Sequence, residues 1–184
     1  MDNGASSYRR FLGGDDTGIA EIVDTYKDGL ILYLNGYVKN IFVAEELTEE
    51  TFFRLVVKKP KYTEKSSFKS WLYAIGRNIA VDDIRRRSKM PEIPIEDMEN
   101  YLCEERGLEE PYIKEDSKRR VHKALSQLAP DYRNILWLVF FEGFTPKEAA
   151  RILKKSDRQI KNLLYRAKQS LKNKLEQEGF IYEE

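Results

Sequence analysis

Apolar residues recur every three or four positions along most of the chain, which is the spacing of amphipathic helices. This spacing predicts a helix from residue 18 to residue 37, with Asp16 or Thr17 as its N-cap. Further helices are predicted at residues 43–58 and 67–87, with a short one at residues 8–12. No run alternates with period two, and no Asn-Gly turn joins two β-branched runs. The fold class is therefore predicted to be all-α.

The character of the sequence changes between residues 88 and 116, where three prolines and ten acidic residues interrupt the helical periodicity. Such a composition indicates a linker with some local helix. The chain is therefore expected to form two small helical domains joined by an acidic linker. The domains are expected at residues 8–90 and 118–176, with the linker at residues 91–117.

Two helix-start signals lie close together in the second domain. Thr145-Pro146-Lys147-Glu148 and Ser156-Asp157-Arg158-Gln159 both have the sequence of a capping box. Together they predict a short helix at residues 146–153, a tight turn, and a longer helix from residue 157 to about residue 175, which is a helix-turn-helix. Two helices are predicted before it, at residues 121–128 and 132–142.

Composition excludes several classes of protein. The longest uncharged apolar stretch, at residues 135–141, is too short to span a bilayer. The first residues lack the basic and apolar parts of a secretory signal, so a cytoplasmic protein without membrane insertion is expected. The single cysteine, Cys103, and the single histidine, His122, cannot form an internal disulfide or a Cys/His zinc cluster.

Signals of catalysis are missing from the sequence. It has no Gly-rich phosphate loop, and His122 has no nucleophile at a suitable spacing. Asp82 and Asp83 are a weak candidate pair for binding a metal ion. The sequence therefore predicts a protein that is not an enzyme, with no cofactor and no metal site.

Charges are sorted into blocks that the net charge of +1 conceals. Residues 54–90 carry a net charge of +8 and residues 118–175 a net charge of +11, whereas residues 91–117 carry −8. Separate basic blocks suit a polyanion such as nucleic acid. Solvated helix faces would give the same pattern, so charge alone leaves both interpretations open.

The last predicted helix has one apolar face, and the rest of its surface is cationic and rich in amide and hydroxyl groups. Such side chains can bind phosphates and can also read base edges in the major groove. DNA binding is favoured over a helical hairpin with a solvated face, because the cationic helix follows two capping boxes and a tight turn.

In the first domain, aromatic side chains alternate with basic ones. Tyr62 lies in the loop before the helix and Tyr73 lies off the apolar stripe, whereas the spacing of Phe68 and Trp71 is better explained by a place in the core. Aromatic and basic residues together can stack unpaired bases and neutralise their backbone, which suggests single-stranded nucleic acid. The acidic flank of the helix at residues 43–58 is either solvated or the contact of a protein partner.

These motifs carry a resemblance to a known family. Residues 44–55 (AEELTEETFFRL) and 67–87 (SFKSWLYAIGRNIAVDDIRRR) resemble region two of the extracytoplasmic-function (ECF) group of bacterial sigma-70 factors. Leu125-Ser126-Gln127-Leu128, the helix-turn-helix and Leu164-Tyr165-Arg166-Ala167-Lys168 resemble region four. The two motifs occur in the family's order, with an acidic linker between them.

The resemblance implies a subunit that binds core RNA polymerase and directs it to promoters. The first domain would dock on the clamp helices of the largest polymerase subunit, and the polymerase flap would be a further contact. An anti-sigma factor is an expected partner. The polymerase-binding residues implied are Glu45, Glu46, Leu47, Glu49, Glu50, Phe53 and Arg54.

The resemblance also implies two DNA sites. A loop and a helix would capture a flipped base of the melted minus-ten element, where stacking repays the cost of unstacking. The residues implied there are Lys61, Tyr62, Lys65, Ser67, Trp71, Tyr73, Arg77, Asn78, Asp82, Arg85 and Arg86. Those implied for the minus-thirty-five element are Lys155, Ser156, Arg158, Gln159, Lys161, Asn162, Tyr165, Arg166 and Lys168.

Some positions depart from the family's pattern. Leu163 stands where arginine is frequent, so one expected DNA contact is missing, and Lys154 and Lys155 replace the usual Leu-Gly turn.

Two other classes of protein compete with the sigma interpretation. If the chain were a stand-alone helix-turn-helix regulator, the first domain would have no function that the sequence explains. A metal-dependent nuclease would need more carboxylates than Asp82 and Asp83 to bind its metal ion.

Overall fold

The computed structural model describes residues 3–89, 121 and 123–177, and within them every regular element is helical. The predicted linker, Cys103 and His122 lie outside the described residues. The first module contains α1 (Asn3–Leu12), α2 (Thr17–Val38), α3 (Ile41–Lys58) and α4 (Phe68–Arg87). The second module has helical residues 123–126, then α5 (Pro130–Leu136) with a π-helical turn (Trp137–Phe141), α6 (Pro146–Leu153) and α7 (Asp157–Gln177).

Local caps explain where the helices of the first module begin. Asp16, one of the two predicted positions, is the N-cap of α2, but its side chain makes no capping hydrogen bond. The carboxylate of Asp15 instead accepts the backbone N–H of Thr17 at 3.0 Å. Helix α3 begins two residues before its predicted start, because the side chain of Asn40 accepts from the N–H groups of Phe42 and Val43. Helix α1 is longer than predicted, since its first turns contain small and polar residues that carry no apolar period.

The core of the first module forms where α2, α3 and α4 bury their apolar stripes against one another. Leu30 and Leu34 of α2, Leu55 of α3 and Phe68 and Leu72 of α4 are all fully enclosed. Helix α1 packs closely on α2, since a Cβ atom at Gly18 would lie 2.2 Å from the carbonyl oxygen of Ser7. These contacts fix α3 and α4 with their polar faces outward.

The helix-turn-helix has the predicted form. Thr145 and Glu148 close a reciprocal capping box at the start of α6, and Ser156 and Gln159 exchange the same pair of hydrogen bonds at the start of α7. Lys154 turns the chain in the left-handed region, with φ of 53°. The preceding helix differs from prediction because its last turn is π-helical and stacks the rings of Trp137 and Phe141 at 4.6 Å.

The two modules pack against each other in the structure, an arrangement that the sequence leaves open. Helix α6 lies against α4 and α5 lies against α2. Phe144 of the second module contacts the ring of Tyr73 in α4, with centroids 5.1 Å apart. Gly36 of α2 admits the side chain of Asn134, because a Cβ atom there would lie 2.6 Å from its amide oxygen. The apolar core therefore continues from one module into the other.

Candidate nucleic-acid interface

An aromatic cluster stands beside the loop between α3 and α4, at residues 59–67. Tyr62 packs edge-on against Phe68 at 5.6 Å and lies 5.2 Å from Trp71. Its hydroxyl donates to the carbonyl oxygen of Ser66, and Ser67 caps α4. Tyr62 and Trp71 are both half-buried, so each ring has one part in the cluster and another part exposed. Lys61 and Lys65 are exposed along the same loop.

One face of α4 continues this surface. Trp71, Asn78, Asp82 and Arg85 follow at intervals of seven, four and three residues, which places them on the same side of a helix. Asp82 and Arg85 are exposed, with their charged atoms 3.9 Å apart. The face therefore offers an aromatic ring, an amide, a carboxylate and a guanidinium in one row. Such a row can stack on a base and form hydrogen bonds with its edge.

Two of the residues predicted to contact minus-ten DNA lie off this exposed face of α4. Tyr73 is completely buried against Tyr33 and Phe144, and burial raises its pKa well above the ordinary value. It is a core residue in this structure, and its prediction as a DNA contact is corrected. Arg77 is half-buried beside Tyr37: burial raises the phenol pKa of Tyr37, and the hydrogen bond from Arg77 opposes that shift. Arg77 therefore lies off the exposed face of α4.

The carboxylates of Asp82 and Asp83, the candidate metal ligands, do not point to a common site. Asp82 is exposed, whereas Asp83 is buried and its carboxylate accepts from Arg86 and Arg87, both at 2.6 Å. Asp83 therefore fixes the basic end of α4, while most of the Arg86 side chain stays exposed. No group of three or more metal-ligating side chains occurs among the residues that the structure describes.

The second module covers part of the loop at residues 59–67. Glu148 of α6 accepts hydrogen bonds from Ser67 at 2.9 Å and from Ser70 at 3.2 Å. These bonds, with those from Thr145, lower the pKa of Glu148 although burial acts to raise it. Arg151 donates to the carbonyl oxygen of Lys65 at 3.0 Å. Two loop residues predicted to bind DNA are thus in contact with α6.

A second link lies in the same first turn of α4. The ammonium of Lys69 is 2.8 Å from the carboxylate of Glu142 and 2.8 Å from its carbonyl oxygen. The same ammonium lies 5.0 Å from the ring centroid of Phe144. The Glu142 side chain is only 9% exposed, so this ion pair is largely shielded from water.

Helix α7 presents the predicted minus-thirty-five surface to solvent. Ile160, Ala167 and Leu175 are buried on its inner side. All of the predicted contacts are exposed except Lys155, which is half-buried in an ion pair with Asp131 at 3.2 Å. The exposed ones are Ser156, Arg158, Gln159, Lys161, Asn162, Tyr165, Arg166 and Lys168.

A shallow depression marks the middle of this surface. Its lining combines α7 with the beginning of α5, and consists of Tyr132, Lys155, Gln159, Asn162, Leu163 and Arg166. Sequence reasoning missed Tyr132, because only the fold brings the start of α5 beside α7. Leu163, the departure from the family's pattern, forms an apolar floor among polar neighbours.

A third surface is the outer face of α3, where apolar and acidic side chains share one row. Phe42, Glu46, Glu49, Phe53 and Val56 follow at intervals of four, three, four and three residues, and all are exposed. Phe53 is 60% exposed and Phe42 is 51% exposed, which is high for residues of this size. The pattern of intervals could have identified Phe42 and Val56 from the sequence.

The remaining polymerase-binding predictions lie beside this face, with one exception. Glu45 and Glu50 flank it, and Arg54 donates to the Glu50 carboxylate at 2.7 Å. Leu47 is the exception and its prediction is corrected, because its position on α3 turns it into the core, where it is only 7% exposed.

Comparison with known proteins follows the same division into modules. The model of sigma-70 region 2 matches residues 22–90, and the model of sigma-70 region 4 matches residues 118–171. The ECF RNA polymerase sigma factor SigM of Bacillus subtilis is 30% identical over 154 residues, which cover 84% of this chain and 93% of SigM. SigX of the same organism is 26% identical, covering 84% of this chain and 82% of SigX.

Solved structures have the same fold. The sigma factor RpoE of Bartonella quintana, in complex with the anti-sigma factor NepR, aligns with a TM-score of 0.65 at 22% identity. That alignment covers 85% of this chain and 96% of RpoE. CnrH, in complex with the cytosolic domain of CnrY, aligns with a TM-score of 0.63 at 18% identity, covering 95% of both chains.

These matches decide between the competing classes. Both matched regions occur in one chain, which a stand-alone helix-turn-helix regulator or a nuclease does not explain. None of the described helices is long and apolar enough to cross a membrane. The chain belongs to the sigma-70 family as an ECF sigma factor, a non-catalytic subunit that binds core RNA polymerase and directs promoter-specific initiation.

Proposed function

We propose that three surfaces of this sigma factor divide the work of initiation. The outer face of α3 binds core polymerase, the loop at residues 59–67 with α4 holds melted minus-ten DNA, and α7 reads the minus-thirty-five duplex. The observation that carries the proposal is the separation of chemistries: an apolar and acidic face, an aromatic and polar face, and a cationic and amide-rich face.

The minus-ten assignment rests on the half-buried rings of Tyr62 and Trp71 beside exposed polar groups of α4. Stacking of a base on an aromatic ring is worth about 1–3 kcal/mol, which is comparable to the cost of unstacking that base. Asn78 and Asp82 can then form hydrogen bonds with the edge of the captured base. Lys61, Lys65 and Arg85 supply positive charge for the backbone.

The minus-thirty-five assignment rests on the exposed groups of α7. Arg158 and Gln159 lie in its first turn, which a helix-turn-helix directs into the major groove. Arg166 lies beside Asn162 in the depression that also includes Lys155 and Tyr132. A phosphate of the DNA backbone suits this mixture of charge, amide and phenol.

The polymerase assignment rests on the composition of the α3 face. An exposed row of Phe and Val side chains marks a protein contact, and the interleaved carboxylates select a basic partner. Clamp helices of the largest polymerase subunit are the proposed partner, and the flap is a further contact for the second module. Because the RpoE structure contains an anti-sigma factor, we also propose an anti-sigma partner. The sigma factor itself is proposed to be located in the cytoplasm, where the polymerase acts.

A pair of double charge reversals tests the docking face. Glu46→Lys with Glu49→Lys places two positive charges on the α3 face and is expected to lower affinity for bacterial core polymerase at least tenfold. Asp24→Lys with Asp28→Lys makes the same change on exposed positions of α2 and should leave affinity unchanged. Equal binding by the two variants would refute the assignment of α3, and failure of the wild-type chain to bind core polymerase would refute the proposed division altogether.

A further inference from the structure

Helix α1 contacts the loop at residues 59–67 although it lies outside the segment that matches sigma-70 region 2, which begins at residue 22. Three side chains within one turn of α1 make these contacts. The hydroxyl of Tyr8 donates to the carbonyl oxygen of Pro60 at 2.8 Å. Arg9 lies 3.6 Å from the Glu64 carboxylate, and the ring of Phe11 lies 5.0 Å beneath the ammonium of Lys59.

Two of the loop residues contacted by α1 have a left-handed backbone conformation. Lys59 has φ of 42° as the left-handed C-cap that ends α3, a common helix termination. Glu64 has φ of 57° within the loop itself, in the left-handed region that residues other than glycine rarely occupy. Such conformations persist where the surrounding structure enforces them, and they concentrate at binding sites. The side chains of both residues contact α1, that of Glu64 through an exposed ion pair and that of Lys59 over the ring of Phe11, so the helix contacts the loop at both left-handed positions.

Tyr8 connects this support to the aromatic cluster. Its ring is 1% exposed and lies 5.6 Å from Phe68 and 5.4 Å from Trp71. The hydroxyl is protonated at neutral pH, as in any tyrosine, and burial raises its pKa further, to about 12. One side chain thus touches both the start of the loop, through Pro60, and the ring that we assign to base stacking.

We infer that α1 fixes the conformation of the minus-ten loop before DNA arrives, with Tyr8 as a positioning residue for base capture. This inference rests on the proposed function of the loop. A loop that is already ordered does not lose conformational entropy on binding, so the captured base gains affinity and specificity. Tyr8 itself does not touch DNA: it acts through Pro60 and Trp71.

The test compares two variants that each lose one buried hydroxyl. Tyr8→Phe removes the bond to Pro60 and keeps the ring, whereas Tyr33→Phe removes a bond to Tyr37 that lies away from the loop. Each variant is assembled with core polymerase, and its affinity is measured for a single-stranded minus-ten oligonucleotide selected by the wild-type holoenzyme. The same oligonucleotide with the captured base replaced gives the discrimination ratio. Affinity for core polymerase and for duplex minus-thirty-five DNA is measured in parallel.

We expect Tyr8→Phe to lower the discrimination ratio about fivefold, the usual value of one hydrogen bond, with core and duplex affinities unchanged. Tyr33→Phe should retain wild-type discrimination. An unchanged ratio in Tyr8→Phe, or an equal loss in Tyr33→Phe, would overturn the inference alone. If the wild-type holoenzyme does not discriminate, the proposed function of the loop fails as well.

A surface variant keeps the inference testable if Tyr8→Phe does not fold. Arg9→Glu places two carboxylates at the exposed contact with Glu64 and leaves the core intact. It is expected to lower the discrimination ratio in the same direction, again without affecting core or duplex affinity. Full retention of the ratio would overturn the role of α1.

Discussion

Replacement of Lys69 by Met is expected to shift the two modules from the packed arrangement toward an open one. The ammonium of Lys69 bonds to both the carboxylate and the carbonyl oxygen of Glu142, so it joins α4 to the second module at two points. Methionine keeps the length and the apolar stem of the side chain. The substitution therefore removes the charge and leaves the carboxylate of Glu142 with the indole N–H of Trp137 at 3.1 Å and with the hydroxyl of Tyr73.

The size of the effect follows from the exposure of the pair. Loss of one partner costs about 3–5 kcal/mol in a fully buried ion pair and about 0–1 kcal/mol in an exposed one. The Glu142 side chain is 9% exposed and that of Lys69 is 29% exposed, which places this pair between the limits. A cost of about 2 kcal/mol would change the ratio of open to packed molecules about 30-fold.

The assay is small-angle scattering of the free chain, supported by energy transfer between one dye on α2 and one on α7. Lys69→Met should increase the radius of gyration and lower the transfer efficiency. Arg54→Met is the matched control, because it breaks an ion pair within α3 and should change neither. A packed arrangement that is unchanged in Lys69→Met would refute the claim that this pair holds the modules together.

Two further outcomes are expected. Arg166→Ala should weaken binding of the minus-thirty-five duplex and reduce the slope of log affinity against log salt by about one, as for any lost phosphate contact; an unchanged slope would exclude that contact. Glu148 has a folded pKa below its ordinary value, so its carboxylate stabilises the capping box and the contact with Ser67 at neutral pH, and this stabilisation is lost as the pH falls through the folded pKa. Energy transfer should therefore decrease in acid in the wild-type chain, and Glu148→Gln should remove this part of the acid response.

The local features of the fold could be predicted from the sequence. The start of α6 follows from the capping box of Thr145 and Glu148, since every group involved lies within four residues. The apolar stripes similarly predict α2 and α4, because helical periodicity needs no knowledge of the partner. The π-helical turn at Trp137–Phe141 has no such local signal, and it was predicted as regular helix.

Errors arose where a side chain's environment depends on distant residues. Tyr73 lies off the apolar stripe of its own module, yet Phe144, 71 residues later, covers it. Leu47 shares a short segment with four acidic residues, but its angle on α3 directs it into the core. Phe42 was missed because it precedes the acidic run, although its spacing to Glu46 and Glu49 places it on the same face.

The packing of α6 against α4 has a consequence that appears when the molecule is set beside a promoter. Duplex DNA rises 3.4 Å per base pair, so elements separated by about 25 base pairs lie about 85 Å apart. A compact chain of 184 residues has a radius of gyration of about 16 Å, which is far too small to reach both elements.

The connection between Lys89 and Val121 is long enough to span about 100 Å when extended, so covalent length does not limit opening. The apparent affinity of the free chain for a whole promoter is then the intrinsic affinity multiplied by the fraction of open molecules. Any partner that holds α4 and α6 apart raises that fraction. Promoter recognition would in this way depend on the polymerase even at bases that the polymerase never touches.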